Sequence, residues 1–364
     1  MTIDNRDASV VGRRGFFTLV GATAAVSCGG GARPAESSQA AASPAPASSA
    51  AGTTTVSSSS GTVPRRRLGR TGAVVSMIGV GGYHLGRTKD EDEAIRIVRT
   101  AIDRGIDFMD NSWDYNGGVS EERLGKALAD GHRDRAFVMT KLDGRTATSA
   151  NGQLEQSLRR LRTDHIDLIQ VHEVIRTTDP ARVFDKGGAM EAIVAAQKAG
   201  KVRFIGFTGH KDPKIHLAML KMADDHGFRF DTVQMPVNVM DWHYRSFQKE
   251  VLPVLLQKDI GVLGMKSMGD HFILDSGVAS ARELLRYSLS TPVSVLITGI
   301  DSMAILNQAL DVATHFEPMT DAERQAILGK TAALARDGSY ERFKTSTHFD
   351  STTQHPEWLE AAQI

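Results

Sequence analysis

Three shortages bound this chain of 364 residues: a single cysteine, no net charge, and no apolar run long enough to span a bilayer as a mature helix. With Cys28 alone, the chain can form neither an internal disulfide nor a thiolate metal cluster. Forty-three basic residues balance forty-three acidic ones, so there is no electrostatic footprint for a nucleic acid. The one basic cluster, Arg65, Arg66, Arg67 and Arg70, reads as a solvated entry to a hairpin. Metal-binding patterns are also missing. His172-Glu173 has no second histidine at metalloprotease spacing, and His210, His216, His226 and His243 share no ligating interval. No metal site is expected. Met219, Leu220 and Met222 fall at helical spacing and read as core.

What is present begins with a segment that is not part of the fold. Arg13-Arg14-Gly15-Phe16-Phe17 opens an apolar stretch to Val26, and small residues then lead into Cys28. Paired arginines ahead of an aromatic pair resemble a twin-arginine export signal, and Ala25-Val26-Ser27-Cys28 resembles a lipidation site. The expectation is a signal peptide over 1–27, lipid on Cys28 and a tether over 28–63. That tether is rich in Ala, Ser and Pro and too poor in large apolar side chains to offset chain entropy. The protein is thus expected in the cell envelope, membrane-tethered, with the twin-arginine export machinery as a partner.

From Pro64 the composition becomes that of a folded domain. Arg67 to Val75 reads as a hairpin turning at Arg70–Gly72. Apolar runs then alternate with amphipathic helical stretches. The runs end at Val80, Asp110, Lys141, His172, Thr208, Gln234, Lys266 and Thr298, a near-constant period of roughly thirty residues that suits a (β/α)8 barrel. Asp90 is placed as a helix cap, Ser120 as another, with Glu121 and Glu122 in the first turn behind it. Further helices are expected at 149–162, 190–199, 213–224, 247–258, 279–290 and 304–314. The barrel occupies 64–318, and a helix from Thr320 with an irregular tail occupies 319–364. The rival, a doubly wound nucleotide-binding sheet, needs Gly-x-Gly-x-x-Gly after the first strand; here the third glycine is His84, and no helix is expected to start there.

In an all-parallel barrel the C-terminal strand ends share one face. Asp110, Lys141 and His172 end three successive strands, and Tyr115 follows Asp110 by one short loop. A free tyrosine holds its proton with a pKa near 10, and a neighbouring ammonium lowers that value. Lys141 is placed to supply the field, Asp110 to fix Lys141, and His172 to hold a carbonyl oxygen. Such a set donates a proton to an oxygen that turns negative as hydride reaches its carbon.

Residues 66–314 resemble the aldo-keto reductase family. The matching segments are Leu68-Gly-Arg-Thr-Gly72, Ile78-Gly-Val-Gly-Gly-Tyr83, Asp110 with Tyr115, Ser120 to Leu128, Lys141, Gln170-Val-His172, Gly200 to Gly206 and Val233 to Asn238. The resemblance implies a (β/α)8 barrel using NADP(H) or NAD(H) on a small-molecule carbonyl or alcohol. It implies Tyr115 as proton donor, tuned by Lys141 and Asp110, and His172 as substrate orienter. Gln234 is implied to hold the nicotinamide carboxamide, with Thr208, Gly209, Met265, Lys266 and Gly299 along the coenzyme and Tyr83 and Trp113 beside the substrate. Three positions depart from the family: Thr208-Gly209 replaces Ser-Asn, Met265 stands where an aromatic usually stacks, and Thr298 to Ala304 offers no cation to a 2′-phosphate. NADP(H) is favoured slightly on family grounds. These departures also leave room for a catalytically weak barrel that binds a ligand or senses redox state in the envelope.

Overall fold

The computed structural model describes residues 55–56 and 61–360. The expected signal peptide, Cys28 and most of the tether lie outside the described residues. Strands β1 (Thr55–Val56), β2 (Arg65–Arg67) and β3 (Val74–Ser76) form an antiparallel sheet. Eight further strands follow: β4 (Ile78–Gly81), β5 (Phe108–Asp110), β6 (Phe137–Leu142), β7 (Ile166–Val171), β8 (Val202–Thr208), β9 (Thr232–Pro236), β10 (Gly261–Met265) and β11 (Val295–Gly299). Each pairs parallel with the next, and β11 returns to β4, closing the barrel.

Helices cover the outside of these strands, so β5, β6, β7 and β9 are buried along their whole length and read as near-continuous apolar runs. Phe108, Met139, Leu168, Leu263 and Val295 form one packed cluster with Leu68 and Val75 of the hairpin. The hairpin therefore closes the N-terminal end of the barrel. A Cβ on Gly69 would lie 2.4 Å from the Gly261 nitrogen at the start of β10, and Gly69 has φ +52°, so glycine is required at that plug. Only the C-terminal strand ends are left to build a site.

Several local expectations are corrected. Arg66 is not solvated: its guanidinium donates to the Val293 and Leu289 carbonyls, both at 2.9 Å, and packs on Phe316. Burial lowers its pKa to about 10. Ser120 is not a cap but a buried residue of the helix Val119–Ala127, its hydroxyl donating 2.6 Å to the Gly82 carbonyl. Glu121 beside it is fully buried and accepts from Thr140 at 2.6 Å. A short helix, Gly82–Arg87, does start after β4, contrary to the expectation there. The helix expected from Ser149 begins at Ala147, because Thr146 accepts the Ser149 N–H and caps it. The stretch expected as one helix over 247–258 is two, Phe247–Glu250 and Leu252–Gln257, since Pro253 cannot donate an N–H back into the first. Asp90 caps its helix as expected, and the helix expected from Thr320 begins there, with Thr320 as its cap.

Beyond Thr331 the tail folds back toward the strand ends in three short turns, Arg342–Thr345, Ser351–Gln354 and Pro356–Leu359. Lys344, fully buried, donates to Asp241 at 2.7 Å, Glu341 at 2.9 Å and the Tyr244 carbonyl at 2.7 Å. Glu173, just past β7, accepts the Ser351 and Thr352 N–H groups and the Thr352 hydroxyl. Among the described residues no helix is long and apolar enough to cross a membrane.

Candidate active site

Strand geometry delivers the three polar ends together. Asp110 and Met139 pair across β5 and β6, and Lys141 pairs with Gln170 across β6 and β7. Lys141 is 1% exposed, and its Nζ lies 2.9 Å from Asp110 Oδ1, 2.6 Å from the Asn111 carbonyl and 3.1 Å from the Tyr115 hydroxyl. An ammonium has three protons, and these contacts use all three. Lys141 thus donates to the Tyr115 oxygen, which leaves the phenol's own proton to point elsewhere. Gln234 Nε2 reaches the other oxygen of Asp110 at 3.0 Å, so that carboxylate is tied on both sides.

His172 stands edge-on to Tyr115, ring centroids 5.9 Å apart, and Tyr83 approaches Tyr115 from another side at 5.5 Å. Tyr83 is exposed at the rim. Nδ1 of His172 meets Asp143 Oδ1 at 2.9 Å, Ser112 Oγ at 3.2 Å and Asp114 Oδ1 at 3.4 Å. Electrostatics here oppose one expectation. Burial, with the carboxylates of Asp110, Asp114, Glu173 and Asp143, pushes the Tyr115 phenol well above its ordinary pKa, rather than Lys141 drawing it down. Burial likewise lowers His172, so its imidazole is neutral at pH 7.

The chain matches the Aldo/keto reductase family over residues 77–284. It belongs to that family. The chain is 30% identical over 216 residues to the uncharacterized oxidoreductase YrpG of Bacillus subtilis and 33% identical over 208 residues to aldo-keto reductase YhdN of the same species. These matches cover 54% and 53% of this chain, and 64% and 58% of those proteins, so the chain spans less than two thirds of either relative. L-galactose dehydrogenase of Arabidopsis thaliana is 29% identical over 309 residues, covering 72% of this chain and 93% of that one. Among solved structures, the holo form of aldo-keto reductase AKR11C1 from Bacillus halodurans superposes with a TM-score of 0.62 at 23% identity, over 75% of this chain and 99% of that one, which supports the fold.

The barrel places the expected coenzyme residues unevenly. Thr208 and Gln234 are direct cross-strand partners on β8 and β9, each 2% exposed. The Thr208 hydroxyl and the Gln234 Oε1 are buried without hydrogen-bond partners among the described residues. One hydroxyl donor and one amide acceptor side by side are what a primary carboxamide would satisfy, so these residues fit a nicotinamide. Gly209 has no room for the family's asparagine: a Cβ there would lie 2.3 Å from the Val174 carbonyl. A Cβ on Gly299 would meet the His84 ring at 2.4 Å. Met265 is half-buried, and Lys266 packs its ammonium over Phe343 and Phe349 of the tail. Trp113 spends its indole N–H on Gln156 at 3.0 Å and lies against Trp358, so it docks the tail.

Sequence reasoning missed Asp143, Asp114 and Glu173, and with them the whole carboxylate lining around His172. The signal was present, since Asp143 follows Lys141 by two positions and Glu173 follows His172 directly. Acidic loop residues are too common in barrels for that spacing to stand out. A groove between helices Ala147–Leu161 and Ala189–Lys198, lined by Ala192, Ala195 and the Lys201–Glu155 pair, is lined by none of the catalytic candidates.

Proposed function

We propose that this protein is an NAD(P)(H)-dependent oxidoreductase that reduces an aldehyde or ketone, or oxidises the corresponding alcohol, with Tyr115 as the proton donor. The observation that carries the reading is the three-way contact of Lys141 with Asp110, Asn111 and Tyr115. A bound nicotinamide would supply or accept the hydride. Thr208 and Gln234 would hold its carboxamide through the two atoms that now lack partners. Tyr115 keeps its proton at neutral pH because burial first, and then neighbouring carboxylates led by Asp110, disfavour the phenolate. The proton leaves only toward an oxygen made more basic as it gains charge, and Lys141 then holds the phenolate oxygen at 3.1 Å. His172 would orient that oxygen from the opposite side. NADP(H) is preferred slightly on family grounds, with little discrimination, because the loop after β11 carries Asp301 and no cation.

The same reading includes export by the twin-arginine route and a lipid anchor on Cys28. An envelope is not expected to hold free nicotinamide coenzyme, so the coenzyme would be inserted before export and cycled in place by two substrates. Mass spectrometry of nucleotide released from denatured exported protein tests this.

The catalytic reading is tested by turnover of an aldehyde panel with NADPH and NADH, wild type against Tyr115→Phe. The variant keeps the ring and loses the proton, and its rate should fall by at least about 10²-fold. Unchanged turnover with coenzyme bound would refute Tyr115 as the acid. A second reading, a ligand-binding barrel of weak activity, draws on the tail: Phe343 and Phe349 sit on Lys266, and Asp350 holds His210 at 2.9 Å and Lys211 at 2.8 Å, beside residues expected to hold coenzyme. Failure to bind either coenzyme at millimolar concentration would favour it.

A further inference from the structure

His172 is gripped at one nitrogen only. Its Nδ1 faces three oxygens, from Asp143, Ser112 and Asp114, while Nε2 has no hydrogen-bond partner among the described residues. The Ser112 hydroxyl gives its single proton to Asp114 at 2.5 Å and has none for the imidazole. Asp143 is therefore the nearest group that can decide which ring nitrogen carries hydrogen.

Its surroundings say how. Asp143 is fully buried, and its Oδ2 has no hydrogen-bond partner among the described residues. The nearby guanidinium of Arg145 does not hydrogen-bond that carboxyl. It donates to Asp179 Oδ1 at 3.1 Å, to the Asp143 carbonyl at 2.7 Å, and to the His172 and Glu173 carbonyls at 2.8 Å. Lys141 is spent on Asp110, Asn111 and Tyr115. An ionised carboxylate with one oxygen buried and unpaired costs more than a neutral acid in the same place. A neutral acid also uses its hydrogen, because Oδ1 lies at bonding distance from Nδ1.

We propose that Asp143 is a positioning residue: it carries a proton on Oδ1, donates it to Nδ1 of His172, and so leaves Nε2–H to face the substrate oxygen. A histidine lacking that partner would place its hydrogen on Nδ1, toward Asp114, and would present a lone pair to a carbonyl oxygen that itself needs a donor. The consequence for turnover rests on the reductase reading above; the position of the hydrogen does not.

The charged groups facing the pair are Asp114, Glu121, Glu173, Lys141, Arg145 and Arg176. Burial outweighs the three cations and raises Asp143 to about 7, and it lowers His172. As pH rises through about 7 the acid is lost, Nδ1 takes the hydrogen, and carbonyl reduction should decline.

The test is nitrogen NMR of 15N-histidine-labelled free protein at pH 6, with the His172 signals assigned by their loss in His172→Gln. An unprotonated Nδ1 and protonated Nε2 are expected. A protonated Nδ1, in a neutral or a doubly protonated ring, overturns the proposal. So does a stoichiometric metal ion in the isolated protein that is absent from Asp143→Ala, because the three ligand-capable atoms of Asp114, Asp143 and His172 lie within 4.8 Å. In kinetics, Asp143→Ala should lower kcat/KM at pH 6 by about 10²-fold, the worth of one oriented donor. Asp143→Asn, whose amide can donate to Nδ1 at every pH, should recover most of that loss and abolish the decline above pH 7. Equal losses in the two variants would overturn the proposal. Tyr115→Phe separates the two ideas, since it should lower turnover by at least about 10²-fold and leave the His172 hydrogen where it was.

Discussion

Replacing Lys344 by methionine tests how the tail is held over the strand ends. Lys344 is fully buried and bonds Asp241, Glu341 and the Tyr244 carbonyl, all within 2.9 Å. Asp241 also accepts the Phe247 and Gln248 N–H groups, both at 3.0 Å, and Glu341 accepts Asn238 at 3.0 Å. Methionine fills similar space but leaves two buried carboxylates without their shared cation. Removing one member of a buried ionic group costs about 3–5 kcal/mol. For a domain of about 300 residues, with an unfolding entropy of about 0.6 kcal/mol/K, that corresponds to a Tm lower by about 5–8 °C, read by differential scanning fluorimetry. The deficit should depend on pH. Burial has already raised Glu341 to about 7, so the folded state binds a proton there that the unfolded chain releases at lower pH. Stability from that group is complete below the unfolded value, near 4.3, and is lost as pH rises through about 7. In Lys344→Met the ammonium no longer favours the charged form, and the deficit should be larger at pH 8 than at pH 5. Adding Glu341→Gln should recover part of it. A Tm within 2 °C, roughly 1 kcal/mol, of wild type at pH 8 would refute the argument.

Other outcomes follow from single contacts. Thr208→Val removes a buried hydroxyl that has no partner, so the free protein should be no less stable while coenzyme binds about 2–12-fold more weakly, the worth of one hydrogen bond, by fluorescence titration. Gly209→Asn, which restores the family residue, should destabilise rather than improve the protein in thermal melts, because its Cβ has no space against Val174. Cys28→Ala should move the protein from membranes to the soluble envelope fraction, and lysines in place of Arg13 and Arg14 should hold it in the cytosol. Wild-type protein found soluble in the cytoplasm on fractionation would refute both.

The barrel was legible because apolar runs and amphipathic helices recur at one period, and every run ends near the residue where its strand ends. Asp110, Tyr115, Lys141 and His172 were legible for the same reason, since strand ends of a parallel barrel converge whatever lies between them. Interactions between distant positions carry no local mark. Arg66 looked like a surface charge because the carbonyls that bury it belong to Leu289 and Val293. Lys344 has no mark in the sequence at all, because its partner Asp241 lies 103 residues away. Ser120 looked like a helix cap because nothing nearby announces the Gly82 carbonyl that takes its hydroxyl. The direction of the Tyr115 shift was missed because it depends on counting the carboxylates around the phenol, and three of those four were unplaced before the fold was known.

Gln153 carries a consequence for the order in which the protein is made. Its Oε1 accepts the N–H groups of Asp143 and Gly144, both at 2.8 Å, while its Nε2 donates to the Trp358 carbonyl at 3.0 Å. The Arg145 N–H donates to the Leu359 carbonyl at 2.8 Å, two residues along from Asp143. The loop that shapes one wall of the site is therefore secured by residues translated more than two hundred positions after it. While the ribosome is still making the second half of the barrel, that loop lacks its outer hydrogen bonds and the strands around it can pair without them. The His172 pocket cannot take its finished form until Trp358 and Leu359 have been made and have docked on that loop.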